Sequence, residues 1–329
     1  MSSEQLLPES VQEVFRKKSY GLFNHSAVQI CLWNKKALRN EGVCYKQKFY
    51  GIDCHRCMQF TPVVAWCENN CIFCWRPMEH MKNQKLMLEN ADEPEKIVEE
   101  LIAERKKLLS GFGGFENVNK EKLVESKEPN HYAISLSGEP TLYPKLPELV
   151  KLLKNKKGTK SIFIVSNGQE PEMLQLLIDE DALPTQMYLS VDAPNEKLFK
   201  EINMPNFKDG WGRLNKSLSL LTKMNCRTVI RYTLIKGLND MDELLDEYAD
   251  LFTKASPDFI EVKAYMFLGY SRKRLKEENM PFHADVKEFT EKLVKKLPYK
   301  IIDEDKQSRI FLLSKGSEGK GIDFGKSYI

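Results

Sequence analysis

From about residue 131 onward the chain repeats one alternation, in which short apolar runs of strand type are followed by helical patterns. The runs are Tyr132 to Leu136, Leu146 to Lys154, Ser161 to Val165, Met173 to Ile178, Met187 to Val191, Trp211 to Met224, Thr228 to Ile235, Met241 to Phe252 and Ile260 to Met266. Strands that are apolar almost throughout must be covered on both faces. Repeated βα units of this kind therefore predict an α/β fold, a parallel sheet with helices packed outside it. The apolar run Phe60 to Trp66 adds one strand ahead of the series and brings the number to six.

The flanks are of a different kind. Pro8 to Lys18 reads as an amphipathic helix with Val11, Val14 and Phe15 on one face, and residues 31–57 carry little regular secondary-structure signal. Glu95 to Leu109 reads as a helix, followed by the flexible stretch Gly111 to Phe115. Beyond the last strand, Ala284 to Leu297 predicts a helix and Lys300 to Asp303 with Arg309 to Leu313 a terminal strand pair. The Gly-, Ser- and Lys-rich tail from Ser314 is expected to be mobile. Expected units are thus an N-terminal extension over 1–59, a core over 60–282, and a C-terminal extension with tail over 283–329. At 329 residues and 42% hydrophobic content the chain can fill such a core. A formal charge of +3 does not announce a polyanionic partner. No run approaches the roughly 20 apolar residues of a membrane span, and the first ten residues lack a signal pattern, so a cytoplasmic protein is expected.

Seven of the eight cysteines fall between Cys31 and Cys74, and only Cys226 lies elsewhere. In a reducing compartment such crowding argues for metal rather than disulfides. Cys67, Cys71 and Cys74 form a C-x3-C-x2-C array directly after the first apolar run. A 4Fe-4S cluster takes four thiolates, so three leave one iron open to a small chelating molecule. Cys31, Cys44 and Cys57 suggest a second site of the same kind, with Cys54 as an unused thiol. The alternative is zinc, because Cys54 and Cys57 with Cys71 and Cys74 also spell a zinc-ribbon spacing.

The array with Phe73 before its third cysteine resembles the signature of radical S-adenosylmethionine enzymes. That resemblance implies a partial (β/α)6 barrel, with the cysteine loop leaving the carboxyl end of the first strand. It also implies that S-adenosylmethionine chelates the open iron and yields a 5′-deoxyadenosyl radical on reduction by an external electron donor. Ser137-Gly138-Glu139-Pro140-Thr141 resembles the family's Gly-Gly-Glu motif for the methionyl amino group, with Ser137 in place of the first glycine; a plain turn with a helix cap is the other reading. Ser166 and Asn167 after the third strand, and Ser190 and Asp192 after the fourth, are the implied ribose or carboxylate contacts, and Leu234 to Leu238 the adenine contact. Arg231, charged within an apolar run, is expected to face the barrel interior or a buried ion pair.

With Cys31, Cys44 and Cys57 upstream, and with Phe73-Cys74-Trp75-Arg76 and Gly269-Tyr270-Ser271-Arg272, the chain resembles the tRNA 4-demethylwyosine synthases over about residues 20–313, in their single-domain archaeal form. The resemblance implies two 4Fe-4S clusters and S-adenosyl-L-methionine. It implies condensation of N1-methylguanosine of phenylalanine tRNA with two carbons of pyruvate. Pyruvate would be chelated at the upstream cluster and bonded by a lysine amine, with Lys46 favoured and Lys48 second. Arg76, His80, Lys82, Arg272 and Arg274 are the candidate tRNA phosphate contacts, and Trp75 and Tyr270 the candidate stacking rings. A monomer is expected. Two rivals stand beside this reading: a zinc-stabilised RNA-binding module, and another two-cluster radical enzyme with a non-RNA substrate.

Overall fold

The computed structural model describes residues 6–82, 85–316 and 320–324. Ten strands form one sheet: β1 Tyr20–Phe23, β2 Ser26–Gln29, β3 Cys57–Thr61, β4 His131–Ile134, β5 Ser161–Ser166, β6 Gln186–Ser190, β7 Arg227–Leu234, β8 Phe259–Ala264, β9 Lys300–Asp305 and β10 Ile310–Ser314. Their order is β1-β2-β3-β4-β5-β6-β7-β8-β10-β9. The six central strands β3 to β8 pair in parallel, as the alternation predicts, and an antiparallel hairpin closes each edge. The sheet is thus an open barrel of six parallel strands, widened at both rims.

The first parallel strand is displaced from its expected place: it runs from Cys57 to Thr61, not from Phe60 to Trp66. Pro62 has no N–H to give the ladder, so pairing stops before it. Val63 to Trp66 are buried nonetheless. That stretch is apolar because it is core, without being strand.

Helices cover the outside. Pro94–Ser110 begins with proline at its first position, where the missing N–H is lost at no cost, and buries Ile97, Val98, Leu101 and Leu109. Asn195 opens the helix Glu196–Ile202 by accepting the Leu198 N–H at 3.0 Å. On the inside, the helix Tyr45–Tyr50 of the N-terminal extension plugs the barrel. Its Tyr45, Phe49 and Tyr50 pack with Ala133, Phe163, Tyr188, Val229 and Phe259, of which Phe163, Val229 and Phe259 lie in the first half of their strands. The plug therefore fills the amino-terminal end of the barrel and leaves the carboxyl end to the cysteine loop.

The expectation of a mobile tail falls partly on residues 317–319 and 325–329, which lie outside the described residues. The stretch 320–324 is docked: the Ile322 N–H donates to the Tyr50 carbonyl at 3.0 Å, Arg227 donates to the Lys320 carbonyl at 2.6 Å, and Lys320 pairs with Asp303. Among the described residues no helix is long and apolar enough to cross a membrane.

Candidate functional site: two cysteine sets at opposite ends of a barrel

The loop Cys67 to Cys74 is fixed by backbone bonds to its surroundings. The Cys67 N–H donates to the Lys82 carbonyl at 3.1 Å, the Asn70 N–H to Asn203 at 3.0 Å, and the Ile72 N–H to Ile202 at 2.9 Å. Arg274 holds its far side, donating to the carbonyls of Ile72, at 3.1 Å, and of Cys74. The segment after β4 laces onto the same place. Ser137 Oγ donates to the Val64 carbonyl at 2.8 Å and the Glu139 N–H to the Trp66 carbonyl at 2.7 Å. Between them Gly138 sits at φ +71°, where a Cβ would lie 1.9 Å from the Val63 carbonyl oxygen.

Glu139 is buried, and its carboxylate accepts from the Thr141 hydroxyl at 2.7 Å and from the Asn167 N–H at 2.7 Å. It is both the cap of a short helical turn and a neighbour of the cysteine loop. Asn167 joins the pieces: its amide nitrogen lies 3.8 Å from Cys67 Sγ and 3.2 Å from Glu68 Oε2. Ser166 accepts from the Gly168 N–H at 3.0 Å and turns the chain there. Asp192 is buried under Asn203, which donates to it at 3.0 Å and reaches Cys71 Sγ at 3.6 Å. Ser190 lies beside Arg231 across β6 and β7. Glu139, Asn167 and Asp192 thus surround Cys67 and Cys71, while Ser190 belongs to the barrel interior below.

Several buried polar atoms in this loop have no partner among the described residues: Glu68 Oε1, both side-chain atoms of Asn69, and Asn203 Oδ1. Protein rarely leaves such atoms unmatched, so the arrangement fits a bound polar group. The cysteines agree. Burial, with Glu68 next, pushes the Cys67 thiol well above its ordinary range, and burial with Asp192 does the same to Cys71. Burial raises Cys74 as well. Thiolates are costly here without a cation to stabilise them. Burial also holds the Glu68 carboxyl up to about 8, with Glu139 the next cause.

The upstream cysteines gather at the other end. Cys57 begins β3 and the loop of Cys67 follows its end; five residues at 3.3 Å separate the ends of that strand by about 13 Å. Cys31 caps the helix Leu32–Leu38, its sulfur accepting the Asn34 N–H at 3.4 Å, and Cys44 precedes the plug helix. The Asn34 amide donates to the carbonyls of Cys54, His55 and Cys57 at 2.8, 3.1 and 3.1 Å, which folds this irregular segment around itself. Cys31, Cys44 and Cys57 feel one another's charge; burial pushes Cys44 up to about 12 and Cys57 up to about 11. Unpartnered Asn34 Oδ1 and Arg105 Nη1 lie at this end. Cys54 is buried beside the set, and Cys226 is remote from both sets. Among the described residues no three Cys, His, Asp or Glu side chains converge on a single-ion site. A cubane needs no such convergence, since each thiolate meets a different iron.

Between the two sets lies a polar interior. Lys46 is buried, its Nζ 4.4 Å from the Phe163 ring centre and 4.5 Å from that of Tyr188. Burial draws its amine below the ordinary lysine value, against the opposing pull of Glu261, Cys57 and Cys44. Lys48 is exposed and pairs with Asp303 at 3.2 Å. Glu261 accepts from Tyr50 at 2.7 Å and Tyr45 at 3.1 Å and lies level with Arg231 across β7 and β8. Arg231 does face the interior, and burial lowers neighbouring Lys263 to about 8.

The expected tRNA contacts divide. Arg272 is exposed, and Trp75 is 44% exposed. Arg76 is buried, stacked 3.5 Å from the Trp75 ring centre and donating to the Tyr20 hydroxyl; Arg274 is engaged with the cysteine loop and with Glu79 at 3.2 Å. Lys82 donates to the Leu6 carbonyl at 2.6 Å, and His80 is half-buried in a helical turn. Lys18 and Lys273, 5.6 and 4.6 Å from the Tyr270 ring centre, complete the cationic rim.

An open barrel of six parallel strands with a three-cysteine loop after its first strand defines a radical S-adenosylmethionine protein, and the Radical SAM superfamily matches residues 61–251. A 4Fe-4S cluster and S-adenosylmethionine are its cofactors. The family described as "Wyosine base formation" matches residues 254–315. The chain is 49% identical over 321 residues to the S-adenosyl-L-methionine-dependent tRNA 4-demethylwyosine synthase of Pyrococcus abyssi, covering 96% of this chain and 92% of that one. It is 40% identical to the protein of the same name from Methanocaldococcus jannaschii, covering 94% and 96%. A structure of TYW1 with a lysine-pyruvate adduct bound superposes with a TM-score of 0.84 at 38% identity, covering 97% and 99%, and one of archaeal TYW1 with 0.77 at 34%, covering 96% and 100%. The chain belongs to the tRNA 4-demethylwyosine synthase family.

Glu68, Asn203, Arg105 and Glu261 escape a reading of the sequence. Glu261, an acid inside an apolar strand, carries the same signal that singles out Arg231. Asn203 carries none, because only the fold brings it to Cys71.

Proposed function

We propose that this chain forms 4-demethylwyosine in phenylalanine tRNA, joining two carbons of pyruvate to N1-methylguanosine, and that Lys46 holds the pyruvate. When bound on Cys67, Cys71 and Cys74, the cluster with S-adenosylmethionine supplies a radical for hydrogen abstraction from the N1-methyl group. Glu139, Asn167 and Asp192 would hold S-adenosylmethionine beside it, and Cys31, Cys44 and Cys57 a second 4Fe-4S cluster. The reading requires one external electron donor and places the work in the cytoplasm.

The observation that carries it is the position of Lys46. Of the two lysines after Cys44, only Lys46 is buried in the barrel between the cysteine sets, and its relative TYW1 carries a lysine-pyruvate adduct. Its amine attacks the keto carbon and water leaves, giving an imine that fixes the substrate by a covalent bond. Phe163 and Tyr188 present two adjacent rings to the amine and limit where it can reach. The test is borohydride reduction in the presence of pyruvate, read by peptide mass spectrometry. The expected result is a reduced pyruvyl adduct on the peptide containing Lys46, absent in Lys46→Arg and retained in Lys48→Arg. An adduct that survives in Lys46→Arg overturns the assignment.

A further inference from the structure

The helix Pro94–Ser110 presents Ile97, Leu101, Arg105 and Leu109 at four-residue spacing, and all of them are buried. An arginine therefore stands where the pattern calls for a leucine, with no exposed surface. Its Nε donates to the Ser126 carbonyl at 3.0 Å and its Nη2 to the His55 carbonyl at 3.2 Å. Nη1 has no partner, and no carboxylate lies within ion-pair distance among the described residues. A buried guanidinium balanced only by carbonyl groups is a large desolvation cost, and an arginine cannot shed its charge to escape it. Three thiols and one phenol offset this cost: Cys57 first, then Cys31 and Tyr132, with Cys54 further down. His55, whose carbonyl Arg105 grips, sits inside the Cys54–Cys57 turn.

We propose that Arg105 is the permanent countercharge of the upstream cysteine site, stabilising the negative charge of a cluster held by Cys31, Cys44 and Cys57 and raising its reduction potential. This rests on the two-cluster reading above. Lys46, a second cation near these cysteines, loses its amine to the substrate when an imine forms, whereas Arg105 stays charged throughout. Arg105 is a positioning and tuning residue, with no contact to substrate required.

The test uses full-length protein in which Cys67, Cys71 and Cys74 are replaced by Ala, so that only the upstream site can be loaded. After anaerobic reconstitution, iron and sulfide are counted and the midpoint potential is followed by EPR in the Arg105 parent, Arg105→Lys and Arg105→Gln. The expected result is about four irons in the parent, a shift to more negative potential in Arg105→Gln, and an intermediate value in Arg105→Lys. Iron in the parent with an unshifted potential in Arg105→Gln overturns the role of Arg105 and leaves the second cluster standing. No iron in the parent overturns both. Thermal unfolding supplies a second readout: loading the site with iron is expected to raise the melting temperature of the parent more than that of Arg105→Gln, and an equal rise in both overturns the proposal.

Discussion

Gly138 is the residue on which the carboxyl end of the barrel turns. Its φ of +71° is a region that other residues enter at a cost of about 1–2 kcal/mol, and a Cβ would meet the Val63 carbonyl at 1.9 Å, too close for any rotamer to relieve. Adding an overpacking cost of about 1–3 kcal/mol, Gly138→Ala is expected to destabilise the apoprotein by about 3 kcal/mol, measured as a lower urea midpoint at unchanged slope. A midpoint like that of the parent would mean that residues 63–66 shift easily. The sequence marks this position well, because Gly138 lies between Ser137 and Glu139 in a recognisable turn. It marks Arg76 poorly: a cation after the cysteines reads as a phosphate contact, yet the side chain lies buried against Trp75 and Tyr20. Whether a charged side chain turns in or out depends on neighbours more than fifty residues away, which local composition does not carry.

At the scale of elements, the cysteine loop is a brace of backbone bonds, backed by the amides of Asn167 and Asn203 and clamped by one cation. Arg274 donates to the carbonyls of Ile72 and Cys74, and charged donors to carbonyls contribute about 1.5–3 kcal/mol each. Arg274→Ala is therefore expected to speed amide exchange across residues 70–76 by about tenfold or more, seen by mass spectrometry, with little change in Arg272→Ala, whose side chain donates to the Phe267 carbonyl, outside the loop. Equal protection in both variants would show that the brace from residues 202–206 holds the loop alone. Five of the six parallel strands were legible because each lies within an apolar run; the first was misplaced, since Cys57–Thr61 alternates polar and apolar residues and the apolar stretch after it is core without being strand. The hairpin of β1 and β2 was not, since strands of four residues give at most two alternations and Tyr20–Phe23 mixes faces. The plug helix was hidden in the same way: Tyr45 to Tyr50 interleaves lysines with aromatics, and its buried face, Tyr45, Lys46, Phe49 and Tyr50, carries a charge in place of an apolar residue.

At the scale of the molecule, the two cysteine sets face a common interior from opposite ends of one strand, and a substrate base must reach it through the carboxyl end. A tRNA docking there meets Lys18, Arg272 and Lys273 around Tyr270, with exposed Trp75 beside them for stacking. Arg274 and Arg76 are already committed to protein partners, so under the proposed function the phosphate contacts are expected from the exposed three. Each phosphate neutralised contributes about 0.7–0.9 to the slope of log affinity against log salt. The triple variant Lys18→Ala, Arg272→Ala, Lys273→Ala is thus expected to flatten that slope by about 2 and to weaken tRNA binding at low salt, while cleavage of S-adenosylmethionine without tRNA is unchanged, since none of the three touches the cysteine loop. A slope equal to that of the parent would move the tRNA to another face, and with it the path by which the base enters the barrel.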